Sequence, residues 1–138
     1  MIPYVVTSAA LLIACTIVIA QETTKRPSDT EITKLVVGKW SQNQKLKTVE
    51  IKAKDDFSND GTWKSQGTLT IGDKVVKLTM TGTWKISDGF LIQVIGTCDP
   101  PTLKKGHESK DEVLSISRKR MNCKTRFGTE IIRIRLPE

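Results

Sequence analysis

Histidine is nearly absent from this chain: His107 is the single one in 138 residues, which excludes a His-based triad or a multi-His metal centre within one chain. It sits in a Pro/Lys/Gly-rich stretch and reads as a solvated loop residue. Aromatic side chains are scarce at 5%. Only Phe127 stands near the densest cationic run, Arg118-Lys119-Arg120 with Lys124 and Arg126. Nucleic-acid binding, which needs stacking aromatics beside the cations, is therefore not expected. Asp55-Asp56 with Asp60 fits no EF-hand spacing, so neither a metal nor a cofactor is expected. No nucleophile and base can be paired in the sequence, and the chain is read as not an enzyme.

Charge is absent from the first segment. Ile2 to Ala20 carries no charged side chain and ends in Val18-Ile19-Ala20 before Gln21, which predicts a signal peptide over residues 1–20 and a secreted or periplasmic protein. The stretch is almost long enough to span a bilayer, so an uncleaved signal anchor stays open. Leu12-Ile13-Ala14-Cys15 also resembles a lipobox, with acylation at Cys15 as the consequence. Residues 21–28 are polar and aperiodic and read as a flexible leader, followed by one domain over 29–138. Of 3 cysteines, export leaves Cys98 and Cys123, an even pair for which one disulfide worth about 3 kcal/mol is expected, with two buried free thiols as the other reading.

The formal charge of +7 suits either plain solubility or an anionic envelope surface met through Arg118, Arg120, Lys124 and Arg126. Strand alternation divides these cations between two faces, and like charge on a hairpin also resists edge pairing.

What the chain does have is period-2 patterning. Ser28-Asp29-Thr30-Glu31 has capping-box spacing and predicts a short helix or turn over 29–36. Beyond Trp40, Val49, Ile51 and Ala53 alternate with Glu50, Lys52 and Lys54, and Asn59-Asp60-Gly61 supplies a hairpin turn. Trp63, Ser65, Gly67, Leu69 and Ile71 share a face, as do Val76, Leu78, Met80, Gly82, Trp84 and Ile86. Phe90, Ile92 and Val94 oppose Leu91, Gln93 and Ile95, apolar on both sides. Cys98 to Lys110 holds adjacent prolines and reads as the longest loop, a candidate lid or rim. Leu114, Ile116, Ile132, Ile134 and Leu136 are the inward candidates of the last hairpin. Strands over 39–43, 47–57, 61–71, 74–86, 89–97, 112–120 and 124–136 make about seven, with an eighth if Gly67 or Gly82 breaks one. An all-β, up-and-down antiparallel barrel of about 7–8 strands follows.

Gly38-Lys39-Trp40 after a helical turn, Phe57 with Gly61-Thr62, and Gly82-Thr83-Trp84-Lys85-Ile86 with Gly89 and Leu91 together resemble the small bacterial lipocalin-like domains of secreted proteins. The likeness covers about Glu31 to Pro137. It implies a ligand-holding barrel in which Trp40 closes one end beneath an Arg from the last strand, a stacking worth about 0.5–2 kcal/mol. Arg133 is favoured for that role, with Arg135, Arg118 and Arg126 as rivals, and Gly38, Trp40 and Arg133 are read as structural.

The expected function is non-catalytic binding of a small apolar or amphipathic ligand. Trp63, Leu69, Leu78, Met80, Trp84, Phe90 and Ile92 are the cavity candidates, and Ser65, Gln93 and Ser115 offer polar contacts. An interior filled by these side chains, with no cavity, is the competing reading. The rival function is a protein-interaction module such as a protease inhibitor, working through the N-terminal arm at Gln21 to Ser28.

Overall fold

The computed structural model of the protein describes residues 25–138. The signal segment, its anchor and lipidation alternatives, and Cys15 lie outside the described residues. A single helix, α1 (Asp29–Val36), precedes eight strands: β1 (Gly38–Leu46), β2 (Val49–Phe57), β3 (Thr62–Ile71), β4 (Lys74–Ser87), β5 (Phe90–Asp99), β6 (Glu108–Ile116), β7 (Arg120–Lys124) and β8 (Glu130–Arg135). Every strand pairs antiparallel with its sequence neighbour, and β8 returns to β1, so the barrel is closed. Closure gives every strand two neighbours, and unpaired edge remains on β1 past Gln42 and on β4 before Thr79. Among the described residues no helix is long and apolar enough to cross a membrane.

The helix starts where its capping box predicts: the Ser28 amide donates to Glu31 at 2.9 Å and the Glu31 amide to Ser28 Oγ at 3.2 Å. Ile32 and Val36 are buried on its inner side. They plug the end of the barrel where β1 begins, against Trp40, Phe57, Trp84, Leu91 and Met121. Asp29 fastens the helix to the β4–β5 turn by accepting from the Asp88 and Gly89 amides at 2.8 and 2.9 Å. At this closed end the Trp40 indole donates to the Val36 carbonyl at 2.8 Å. Phe57 meets Trp84 edge-to-face, with centroids 5.5 Å apart at 78°, a favoured aromatic geometry.

The eighth strand does not come from a break at Gly67 or Gly82, since β3 and β4 run through both. It comes from the tail, where Thr125 to Thr129 turns the chain between β7 and β8, with Gly128 at φ 83. Gly82 instead marks a bulge: the pairing steps from Thr81 opposite Thr97 to Gly82 opposite Ile95, leaving Gly96 as the extra residue.

Three corrections concern which side faces in. On β5, Leu91 and Gln93 stand opposite Ile86 and Trp84, so Leu91, Gln93 and Ile95 point inward while Phe90 and Ile92 point outward. Phe90 carries the Lys110 ammonium 4.6 Å from its ring. On β8, Ile131 and Arg133 are buried and Ile132 and Ile134 are exposed. On β6 a register shift between Val113 and Ser115 turns Leu114 and Ser115 outward and leaves Ile116 packed on the core.

The expected disulfide is absent, and Cys98 and Cys123 are free thiols. Cys123 pairs with Val113, beside the start of β5, whereas Cys98 lies near the far end of β5. Its thiol donates to the Pro100 carbonyl at 3.2 Å. Phe90 and Cys98 are roughly 26 Å apart along an extended strand, and a disulfide needs Cα atoms within about 7 Å.

Candidate functional site: a polar lumen

Alternation from the closed end upward places Gln42 on β1, Asp55 on β2, Trp63 and Ser65 on β3, Met80 on β4, Gln93 on β5, Asp111 on β6 and Arg133 on β8 around one cavity of about 220 Å3. Leu103, His107 and Thr125 rim its mouth at the end opposite the helix. The 100–107 loop is tied down there, with Ile95 and His107 backbones hydrogen-bonded at 2.9 Å and Gly106 to Ile95 at 2.7 Å. His107 is thus exposed but turned onto the lumen.

The centre of the lumen is an ion pair. Arg133 and Asp55 are 3% and 1% exposed, with Arg133 Nε donating to Asp55 Oδ2 at 3.0 Å. Gln42 donates to the same oxygen at 2.7 Å, and Gln44 donates to Gln42 at 2.7 Å. Burial alone would press the guanidinium pKa down. The charge of Asp55, helped by Cys123 and Asp111, outweighs that and holds it above its usual value. Burial pushes the Asp111 carboxyl up, with Arg133 opposing part of the rise. Among the described residues two buried donors find no partner: Arg133 Nη1 and Trp63 Nε1. A buried unsatisfied donor costs about 1–3 kcal/mol.

Burial also pushes the Cys123 thiol up to about 11. Below about pH 9 the thiol is protonated in both states and has no effect. Between about pH 9 and 11 the unfolded chain releases the proton first, so stability falls with rising pH, by about 3 kcal/mol in total. Urea midpoints measured from pH 8 to 11 should therefore fall more steeply for the natural chain than for Cys123→Ala; parallel curves would refute it.

The sequence-predicted residues separate into four groups. Trp63 and Met80 line the lumen, together with Ser65 and Gln93. Trp84 belongs to the closed end, its indole donating to the Ser58 carbonyl at 3.0 Å. Leu69 and Leu78 sit on the inner face of the long hairpins, past the last β4–β5 pair at Thr79. Phe90 and Ile92 lie outside the barrel. Asp55, Asp56 and Asp60 do not converge: Asp55 is committed to Arg133, and Asp60 accepts from the Thr62 hydroxyl at 2.7 Å, which holds its carboxyl below the usual range.

The arginine over Trp40 is Arg135 and not Arg133. Trp40 and Arg135 are direct partners across β1 and β8, and the guanidinium lies 4.2 Å from the ring centroid. It also donates to the carbonyls of Leu35, Val37 and Arg118, capping the C-terminal end of α1. Of the cationic cluster, Arg120 and Lys124 face outward on β7, while Arg118 and Arg126 occupy the turns at opposite ends of that strand, Arg126 stacked at 4.8 Å on the exposed Phe127.

An eight-stranded up-and-down barrel in sequence order, closed at one end by a helix and by a Trp under an Arg, is lipocalin-like in architecture. No protein-family model matches the sequence, and no curated protein matches it. Among solved structures the chain is similar to a lipocalin-like protein from Bacteroides uniformis ATCC 8492, at 16% identity over 74% of this chain and 99% of that one, with a TM-score of 0.49.

Proposed function

We propose that the protein is a non-catalytic binding protein, exported from the cytoplasm, that holds one small, neutral, polar molecule in its lumen. The observation that carries this reading is that Arg133 and Trp63, whose buried donors Nη1 and Nε1 have no partner among the described residues, both belong to the wall of the same cavity. A ligand that accepts hydrogen bonds from both offsets a cost already present in the fold. Asp55, Asp111, Ser65 and Gln93 supply acceptors for its own donors.

Charge selects neutrality. Arg133 and Asp55 cancel, burial raises the Asp111 carboxyl above its usual range, and a neutral ligand brings no further charge into a desolvated site. Size selects a small molecule: 220 Å3 is below the roughly 300–1,000 Å3 of sites for drug-sized ligands. Trp63, Met80, Ile95 and Ile131 add apolar wall beside these polar groups, so a polyhydroxylated or amide-bearing compound with an apolar face suits the lining.

Trp63→Phe tests the assignment, because it deletes an unpartnered donor and breaks no hydrogen bond of the protein. Native mass spectrometry and calorimetry with a panel of small polyols, lactams and amides should find a ligand for the natural protein. The variant should keep its fold and bind that ligand about 10-fold or more weakly. Equal affinity in the two proteins, or no uptake from the panel by the natural one, would count against the lumen as the site.

A further inference from the structure

Strand alternation leaves an outward face on β8, β1, β2, β3 and β4, and this face is not a featureless convex wall. It holds a groove of about 830 Å3, centred on the row Gln42, Ala53, Gly67 and Leu78 and flanked by their outward neighbours. We propose that this groove is a second binding site, distinct from the lumen, for a single-chain anionic amphiphile whose chain lies on Ile132 and Ile134 and whose head meets Lys52, Lys54 and Lys77.

Polarity is segregated along the groove. Because Arg133 points inward, Ile132 and Ile134 point outward, 37% and 46% exposed. Ser41 stands opposite Ile134 on one side and opposite Lys54 on the other. The isoleucine end and the first lysine are thus two strand spacings apart, roughly 10 Å. Lys52 and Lys77 flank Thr68 on the next outward row. The groove therefore has an apolar end and a cationic end, and no carboxylate lines it.

The cations are available. Among the described residues Lys54 and Lys77 form no ion pair, and Lys52 has only an exposed contact with Glu50 at 3.5 Å, a pairing of little energy. β2 and β3, which floor the groove, are bonded on both sides, and backbone is left unpaired only at its margins, on β1 past Gln42 and on β4 before Thr79, so over the floor no strand can be added. Recognition falls to side chains, which present alkyl surface at one end and ammonium groups at the other. The volume lies within the range of small-molecule sites.

Dodecanoate below its micelle concentration is the probe, with uncharged dodecanol as the control for the head group. Two-dimensional NMR of the natural protein should show saturable binding, with shifts at 41–43, 52–54, 66–68 and 77–79 and weakening as salt rises. Lys52→Gln/Lys54→Gln/Lys77→Gln, all on the solvent side, should fold normally and bind about tenfold or more weakly. Trp63→Phe, aimed at the lumen, should leave this binding unchanged, which separates this site from the one above. The proposal is overturned if dodecanoate does not bind saturably, if dodecanol binds as tightly, if the shifts lie in the lumen and survive the triple substitution, or if only anionic vesicles are retained.

Discussion

Asp55→Ala should remove about 3–5 kcal/mol of stability, since it strands the Arg133 charge in the barrel. Asp55 is 1% exposed and accepts from both Arg133 Nε, at 3.0 Å, and Gln42 Nε2, at 2.7 Å. Set against the roughly 5–15 kcal/mol that separates folded from unfolded domains, this loss brings the variant close to unfolding. Replacing both partners with apolar residues, Asp55→Leu with Arg133→Met, removes the uncompensated charge along with the pair. That double variant should recover most of the loss, because buried ion pairs contribute little net stability over well-packed apolar substitutes. The double-mutant cycle should therefore show strong coupling between the two positions. Urea denaturation of the four proteins gives each value. A single substitution costing under about 1 kcal/mol would mean that water already reaches the pair. If the lumen is the ligand site, the rescued double variant also folds without binding, which separates the functional role of Arg133 from its structural one.

The same pair explains which parts of the barrel were legible in the sequence. β4 reads correctly because its inward row from Val76 to Ile86 is apolar and its outward row is Lys and Thr, as the hydrophobic effect dictates for a half-buried strand. β8 reads inverted, and β6 does at Leu114, because the lumen on that side is polar, while β7 falls where the sequence reading put the turn between two strands. Asp111 and Arg133 face inward while Leu114, Ile132 and Ile134 face solvent, so the usual rule assigns each to the wrong side. The β6 bulge between Val113 and Ser115 adds a local reversal that no alternation pattern announces. One signal was present. Asp55 falls on the same parity as Val49, Ile51, Ala53 and Phe57, an acid set in an inward row, and such an acid demands a buried partner. Ser65 and Gln93 carry the same message on β3 and β5. The partner itself lay 78 residues away and only closure of β8 onto β1 brings it near. Cys98 and Cys123 show the converse limit: an even count suggested a bond that barrel geometry does not allow.

Gly82→Ala should be among the most damaging methyl additions at the glycines of this barrel. A Cβ at Gly82 would overlap the carbonyl oxygen of Val94 on the adjoining strand, and would lie 3.0 Å from Trp63 Nε1. The first obstacle is backbone, which cannot rotate aside as a side-chain tip can. Relief requires β4 and β5 to part at the bulge where the register steps between Thr81 and Gly82, with loss of ladder hydrogen bonds as well as packing. Insertion into a tight core typically costs about 1–3 kcal/mol, and backbone separation should carry this variant beyond that range or prevent folding. Gly72→Ala is the matched control. Gly72 has φ +58 but nothing within 4 Å of a Cβ, so only the left-handed strain of about 1–2 kcal/mol applies. Denaturation followed by tryptophan fluorescence distinguishes the two. Gly82→Ala should also shift the native emission, because Trp63 borders both the added methyl and the lumen, whereas Gly72→Ala should leave it unchanged. Equal stabilities for the two variants would show that the bulge yields easily, and that the close approach of β4 and β5 is not what holds Trp63 over the lumen.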